Sequence, residues 1–260
     1  MNSNILSHFH PDERGFAQKM VDWLERAITQ HQLKRTDFLD PRQAHIVETL
    51  ARRYPNLQMR LDGGYPQAER QRAIIAPDYM DIDTQDMGIR LLNIESGDTK
   101  IGDLDHGDYL GSMLGLGLKR EKIGDLHVSE RGCQCLVTEE LADFIHLHLQ
   151  QVHRVHVMTS IVSLDQLEPI IPKLQEMNLS VASMRLDGIV SDVCKLSRAK
   201  VMIPIKAGRC KVNWKVEEDP SRTLAEGDTI SMKGFGRFVL TTVQGETKKG
   251  RIRLTIAKYV

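Results

Sequence analysis

Met184-Arg185-Leu186-Asp187-Gly188 opens the stretch on which the reading of the fold turns, and Lys195-Leu196-Ser197-Arg198-Ala199-Lys200 and Gly208-Arg209-Cys210-Lys211-Val212-Asn213 continue it. Ile189, Val190 and Val193 give one short amphipathic helix over Asp187 to Lys195. Ser197 is a good cap for a second helix, whose Ala199, Met202 and Ile203 are spaced i, i+3, i+4 and which Gly208 terminates. Small strands follow at Lys211 to Asn213, Thr229 to Met232, Gly236 to Thr241 and Ile252 to Ala257. Pro204 sits inside the second helix, where it lacks an N–H and should kink or shorten the last turn.

Charge singles out the same stretch. Residues 184–260 hold 16 Lys and Arg against eight Asp and Glu, whereas residues 1–183 hold 19 against 27. The zero net charge of the 260-residue chain therefore conceals a basic end and an acidic remainder. A compact basic segment points to a polyanionic partner. Lys195, Arg198, Lys200, Lys206, Arg209 and Lys211 lie in and around the helix pair and are the candidate contacts to such a polyanion, because Arg and Lys pair with phosphates and Arg can clamp one with two donors.

Outward from that stretch, the composition is ordinary for a globular protein, with 41% hydrophobic and 27% charged residues. Four irregularly placed cysteines do not make a disulfide scaffold. Met1 to Pro11 lacks the pattern of a signal peptide, and no apolar run approaches the length of a membrane span. A soluble cytoplasmic protein is expected, with no cofactor, no metal and no membrane partner.

The expected fold class is α+β and multidomain. Residues 1–88 read as N-terminal helices plus a β-hairpin. Phe16, Met20, Trp23, Leu24 and Ile28 form a helical stripe within Pro11 to Gln30, and Asp40-Pro41 is a capped helix start. Leu57, Met59 and Leu61 alternate in a strand, with a return strand at Arg72 to Ala76. Arg52, Arg53, Arg60, Arg70 and Arg72, interspersed with acids, read as a solvated face.

Residues 89–183 read as a ferredoxin-like, RRM-like domain with a connector. Strands at Ile89 to Ile94, Gly124 to Val128, Cys133 to Val137 and Arg154 to Ile161 alternate with helices at His106 to Leu118 and Thr138 to Gln150. The paired aromatics that such sheets use to stack bases are absent, so contact with RNA would run through charge or shape, with a minor role for Arg154 or His156. Gly111 and Gly115 would let the first of these helices approach the sheet closely. Cys133 and Cys135 lie on one strand face without a second pair at zinc spacing, so they read as core residues. His146, His148, His153 and His156 form no catalytic pattern. The connector, with Pro169 and Pro172, carries a helical stripe of Leu167, Ile170, Ile171 and Leu174, and Val181 and Ala182 end a short strand.

The run from Met184 to Phe238 resembles an S4 (alpha-L) RNA-binding domain in its Arg-Leu-Asp opening, Ser197-Arg198, the Gly208 to Asn213 turn and Gly227-Asp228. With His106-Gly107-Asp108-Tyr109-Leu110-Gly111-Ser112, Lys119-Arg120-Glu121-Lys122-Ile123-Gly124-Asp125 and Val181 to Asp187, the whole chain resembles bacterial YlmH-like S4-domain proteins. Some cyanobacterial members are called photosystem II S4-domain proteins, and some genes lie near cell-division genes. The resemblance implies a non-enzymatic, monomeric RNA-binding factor, in which Arg185, Ser197, Arg198, Lys200, Arg209 and Lys211 would line the RNA face. Its partners would be 23S ribosomal RNA and tRNA on a large ribosomal subunit carrying an obstructed peptidyl-tRNA, with no DNA partner. Two alternatives stand beside it. Arg60-Leu61-Asp62-Gly63 is similar to the catalytic Arg-Leu-Asp loop of pseudouridine synthases, so Asp62 or Asp187 could serve an RNA-modifying enzyme. A cell-division or photosystem-associated scaffold is the other.

Overall fold

The computed structural model describes residues 6–171, 173–247 and 250–259. It has two compact units, Met1–Ile170 and Ile171–Val260.

The first unit begins with α1 (Pro11–Thr29) and α2 (Pro41–Ala51), each with proline in its first turn. His10 and Asp40 are their N-caps. The Asp40 carboxylate accepts from the Gln43 amide at 2.8 Å, and the Gln43 side-chain oxygen accepts from the Asp40 amide at 3.0 Å. Arg42 joins the two helix starts by gripping both Glu13 oxygens at 2.8 and 3.0 Å. In α1 the buried residues are Ala17, Met20, Val21, Leu24 and Ala27, so the core-facing stripe is rotated from the expected one, and Phe16 and Trp23 are only partly buried.

β1 (Lys34–Arg35), β2 (Leu57–Asp62) and β3 (Arg72–Pro77) form an antiparallel sheet in the order β1-β3-β2. The expected hairpin is thus present, and every residue of β3 is buried. Because strand side chains alternate, β3 serves two cores. Ala73 and Ile75 pack with the helices, while Ile74 and Ala76 pack on the other side with Phe38, Ile89, Leu91 and Leu136.

The next sheet consists of β4 (Ile89–Glu95), β5 (Ile123–Ser129), β6 (Gly132–Thr138) and β9 (Met158–Val162), all antiparallel neighbours in the order β5-β6-β4-β9. α3 (His106–Gly115) follows β4 and α4 (Glu139–His148) follows β6. Tyr109, Met113, Ala142 and Ile145 of these helices pack on Leu92, Ile94, Cys133, Cys135 and Val137. Both cysteines are buried and free. The opposite sheet face meets the cluster around Phe38.

Four local expectations are corrected. Arg72 is 2% exposed, and it donates to the Thr36 carbonyl at 2.7 Å and to the Gly88 carbonyl. Arg60 clasps the carbonyls of Ile82, Asp83 and Gln85, and Arg70 donates to those of Ile123 and Phe38, so three of the five arginines tie loops together rather than form a solvated face. Gly111 and Gly115 are exposed, and a Cβ added at either would meet nothing within 4 Å, so they mark no close approach to the sheet. Residues 154–161 are not one strand: β7 (Gln151–Val152) and β8 (Val155–His156) make a small hairpin turned by His153 at φ 51°, and β9 starts afterwards.

The connector is the fourth. Leu164–Gln166 is a short 3-10 turn, after which Gln134 pins the extended chain by donating to the Gln166 carbonyl at 3.0 Å and accepting from the Glu168 amide at 2.8 Å. The helical stripe is absent among the described residues, and Pro172 lies outside them. β10 (Leu174–Val181) instead pairs along its whole length with β15 (Ile252–Tyr259), so part of the expected connector belongs to the second unit.

That unit is an antiparallel sheet in the order β10-β15-β14-β13-β11-β12, with β11 (Cys210–Val212), β12 (Lys215–Val216), β13 (Thr229–Met232) and β14 (Gly236–Glu246). α5 (Leu186–Cys194) and α6 (Arg198–Lys206) pack Leu186, Ile189, Val190, Val193, Val201 and Ile205 against its apolar face. Helix α6 continues two residues past Pro204, to Lys206, and is closed off by Gly208, φ +67°. There the Gly208 and Arg209 amides donate back to the carbonyls of Ile205 and Pro204, both at 3.0 Å, a closure in which a glycine at positive φ ends the helix.

Candidate nucleic-acid interface

The helix pair is built from the Arg-Leu-Asp opening. Arg185 caps α5 by position and grips Asp187 with two bonds, at 3.1 and 2.9 Å. Asp187 is 4% exposed and accepts the Gly188 amide at 2.8 Å. The bonds from Arg185, chiefly, hold its carboxyl below the usual carboxylate range. The first amides of α5 are taken: Leu186 donates to the Arg222 carbonyl at 2.9 Å and Asp187 to that of Pro220 at 3.0 Å. This helix start therefore offers side-chain charge rather than open amides to an anion.

Arg198 begins α6 and lies over Gly188. A side-chain carbon there would fall 2.9 Å from the Arg198 guanidinium. Glycine thus admits the arginine, whose charge adds to that of Arg185 in favouring the Asp187 carboxylate. Ser197 caps α6, accepting the Lys200 amide at 3.4 Å. Lys195 closes α5 in the left-handed conformation, φ 54°, with its side chain exposed, as are those of Arg198 and Lys200.

The structure brings Arg185, Arg198 and the residues next to them together at one end of the helix pair. Lys206 and Arg209 lie at the other end of α6, about 12 Å along the axis at 1.5 Å per residue. Lys211 is placed differently. It alternates with buried Cys210 and Val212, so it projects from the sheet face away from the helices.

That face holds residues that local sequence patterns do not mark as a site. Lys211 pairs with Ser231 and Ser231 with Arg237. The Arg237 guanidinium lies 4.2 Å from the Tyr259 ring centre and 5.9 Å from that of Trp214. The only local signal is Asn213-Trp214 between short alternating segments, a hairpin cue with tryptophan where glycine is favoured.

Two carboxylates considered for catalysis are engaged structurally. Asp62 accepts the Gly64 amide at 2.8 Å within a turn, and Asp187 is held as described. Among the described residues, no group of three His, Cys, Asp or Glu side chains is placed to hold a metal.

Residues 12–80 match the family model "YlmH, N-terminal", and residues 83–166 match "Putative RNA-binding domain in YlmH". The chain is 37% identical over 256 residues to "Ribosome-associated protein quality control protein P2" of Bacillus subtilis, covering 98% of this chain and 99% of that one. The chain belongs to the YlmH family. A solved structure, "Cell division protein ylmH from Streptococcus pneumoniae", is similar with a TM-score of 0.53 at 24% identity. That match covers 61% of this YlmH-family chain and 96% of the solved one, and shows a shared fold. The α+β, multidomain class expected for a YlmH-like protein is thereby met.

Proposed function

We propose that this chain is a non-enzymatic RNA-binding factor of the cytoplasm that acts on the large ribosomal subunit, in quality control of stalled ribosomes that carry peptidyl-tRNA. The observation that carries this reading is the near full-length similarity to the Bacillus subtilis quality-control protein. The basic excess of residues 184–260 supports it, because phosphate neutralisation supplies most sequence-independent RNA affinity. We assign 184–260, whose sheet β10 joins, as the S4 domain, and within 89–183 the part before the connector as ferredoxin-like; the strand order β5-β6-β4-β9 with two helices on one face supports the latter. Arg185, Lys195, Ser197, Arg198, Lys200, Lys206 and Arg209 form the main RNA face around the helix pair, and Lys211 serves from the sheet. The RNA is 23S ribosomal RNA and tRNA.

Ribosome co-sedimentation tests this. Binding should fall steeply with salt, by about 10³-fold or more between 50 and 200 mM if roughly six phosphates are neutralised. The double variant Arg198→Glu, Lys200→Glu should lose binding at moderate salt. Retained binding would remove these residues from the interface.

A further inference from the structure

We propose that Trp214, Arg237 and Tyr259 form a stacking platform for one unpaired nucleobase, on the face of the second unit's sheet that points away from α5 and α6. The inference rests on the RNA-binding reading and adds to it a second contact, of different chemistry, on the opposite side of the sheet.

The geometry begins with the turn. Val212 pairs with Lys215, so Asn213 and Trp214 are the two central residues of a hairpin, at φ 50° and 63°. Such turns favour Asn-Gly, because positive φ at the second position suits a residue without Cβ. Asn213 meets its part. Its side chain accepts the Thr229 amide at 2.9 Å and donates to Asp228 at 2.8 Å, which fixes the turn to β13. Trp214 does not suit the backbone, and its indole is only half-buried, so packing does not explain it either. An unfavourable backbone position kept by a large, accessible aromatic is the sort of outlier that points to a surface role.

The neighbours match one ligand. Arg237 sits within cation–π range of both rings and orders them around a positive charge. Lys211 lies in the same cross-strand row, through Ser231, and Lys215 follows Trp214 directly. Half-exposed aromatic rings set among cations fit a planar base attached to a phosphate, as single-stranded nucleic-acid sites do. A paired helix cannot offer its base faces to such a platform, whereas the cations of the helix pair need only phosphates.

The test uses the full chain. Trp23 and Trp214 are its two tryptophans, so a Trp23→Phe background leaves Trp214 as the single indole emitter. The titrants are a short single-stranded oligoadenylate and a duplex of equal phosphate number. The single strand should quench Trp214 and the duplex should not. Trp214→Gly, which suits the turn and keeps the fold, should weaken single-strand binding on the order of 10-fold and leave duplex binding unchanged. Tyr259→Leu should act in the same direction. Equal quenching by both titrants, or unchanged single-strand affinity in Trp214→Gly, overturns the platform and leaves the helix-pair interface standing. Failure of the wild-type chain to bind either RNA overturns the RNA reading and the platform together.

Discussion

Asp187 shows how a buried charge is sustained by single residues. Its carboxylate is 4% exposed, yet it accepts from Arg185 and from the Gly188 amide, with Arg198 nearby. Asp187→Asn should therefore destabilise the second unit by about 1–3 kcal/mol in urea unfolding, since it removes the charge that these donors were placed to meet. The pH dependence has a definite sign. The folded carboxyl is held below its unfolded value, so its contribution is complete above the ordinary carboxylate pKa of about 3.9 and is lost as pH falls through the folded value. The stability difference between wild type and Asp187→Asn should therefore shrink on acidification below about pH 4 and stay constant through neutrality. Arg72 carries the opposite lesson for reading sequences. Its type and spacing suggest solvent, but its partners are carbonyls of Thr36 and Gly88, in other segments, and no local pattern reveals them. Trp214 is hard to single out for a related reason, because Arg237 and Tyr259 reach it only through strand pairing.

Among the elements, those legible in the sequence are the ones with local chemistry. Asp40-Pro41, Ser197 and Gly208 each mark a helix end by a cap or a conformation available within a few residues, and each stands where expected. β10 is legible only at its end, where a short strand is expected to close at Val181 and Ala182 and the strand does stop at Val181. Its alternating Met177, Leu179 and Val181 are a weak signal, and its partner β15 lies some 75 residues later, where pairing and not propensity decides. Pro204 is an element-scale problem of another kind. The helix tolerates it, running on to Lys206, but the ring has no N–H for the carbonyl of Lys200. Pro204→Ala should raise stability by about 1 kcal/mol. The cost of proline in a full helix interior is about 3 kcal/mol, and this position is two residues from the end. A lower urea midpoint in the variant would mean that packing of the ring outweighs the missing bond.

At the scale of the molecule, the basic end and the acidic remainder are separate compact units, and the sequence division of charge anticipates that split to within the connector. The first unit is less divisible than its sequence suggests. The two matching family models meet between residues 80 and 83, yet β3 supplies Ile74 and Ala76 to a cluster with Leu91 and Leu136 beyond that point. The Phe38 amide donates to the Glu121 carbonyl at 2.8 Å, and Asp37 meets Lys122 at 2.6 Å. A segment can be inherited as a module and still be physically unfinished. Expressed alone, residues 83–170 would present Ile89, Leu91 and Leu136 to water, and we expect that fragment to bind a hydrophobic dye and aggregate, while residues 1–170 unfold as one cooperative transition. Attempts to map binding by dissecting the chain should therefore cut near Ile170, because a cut near residue 80 would report on a broken core.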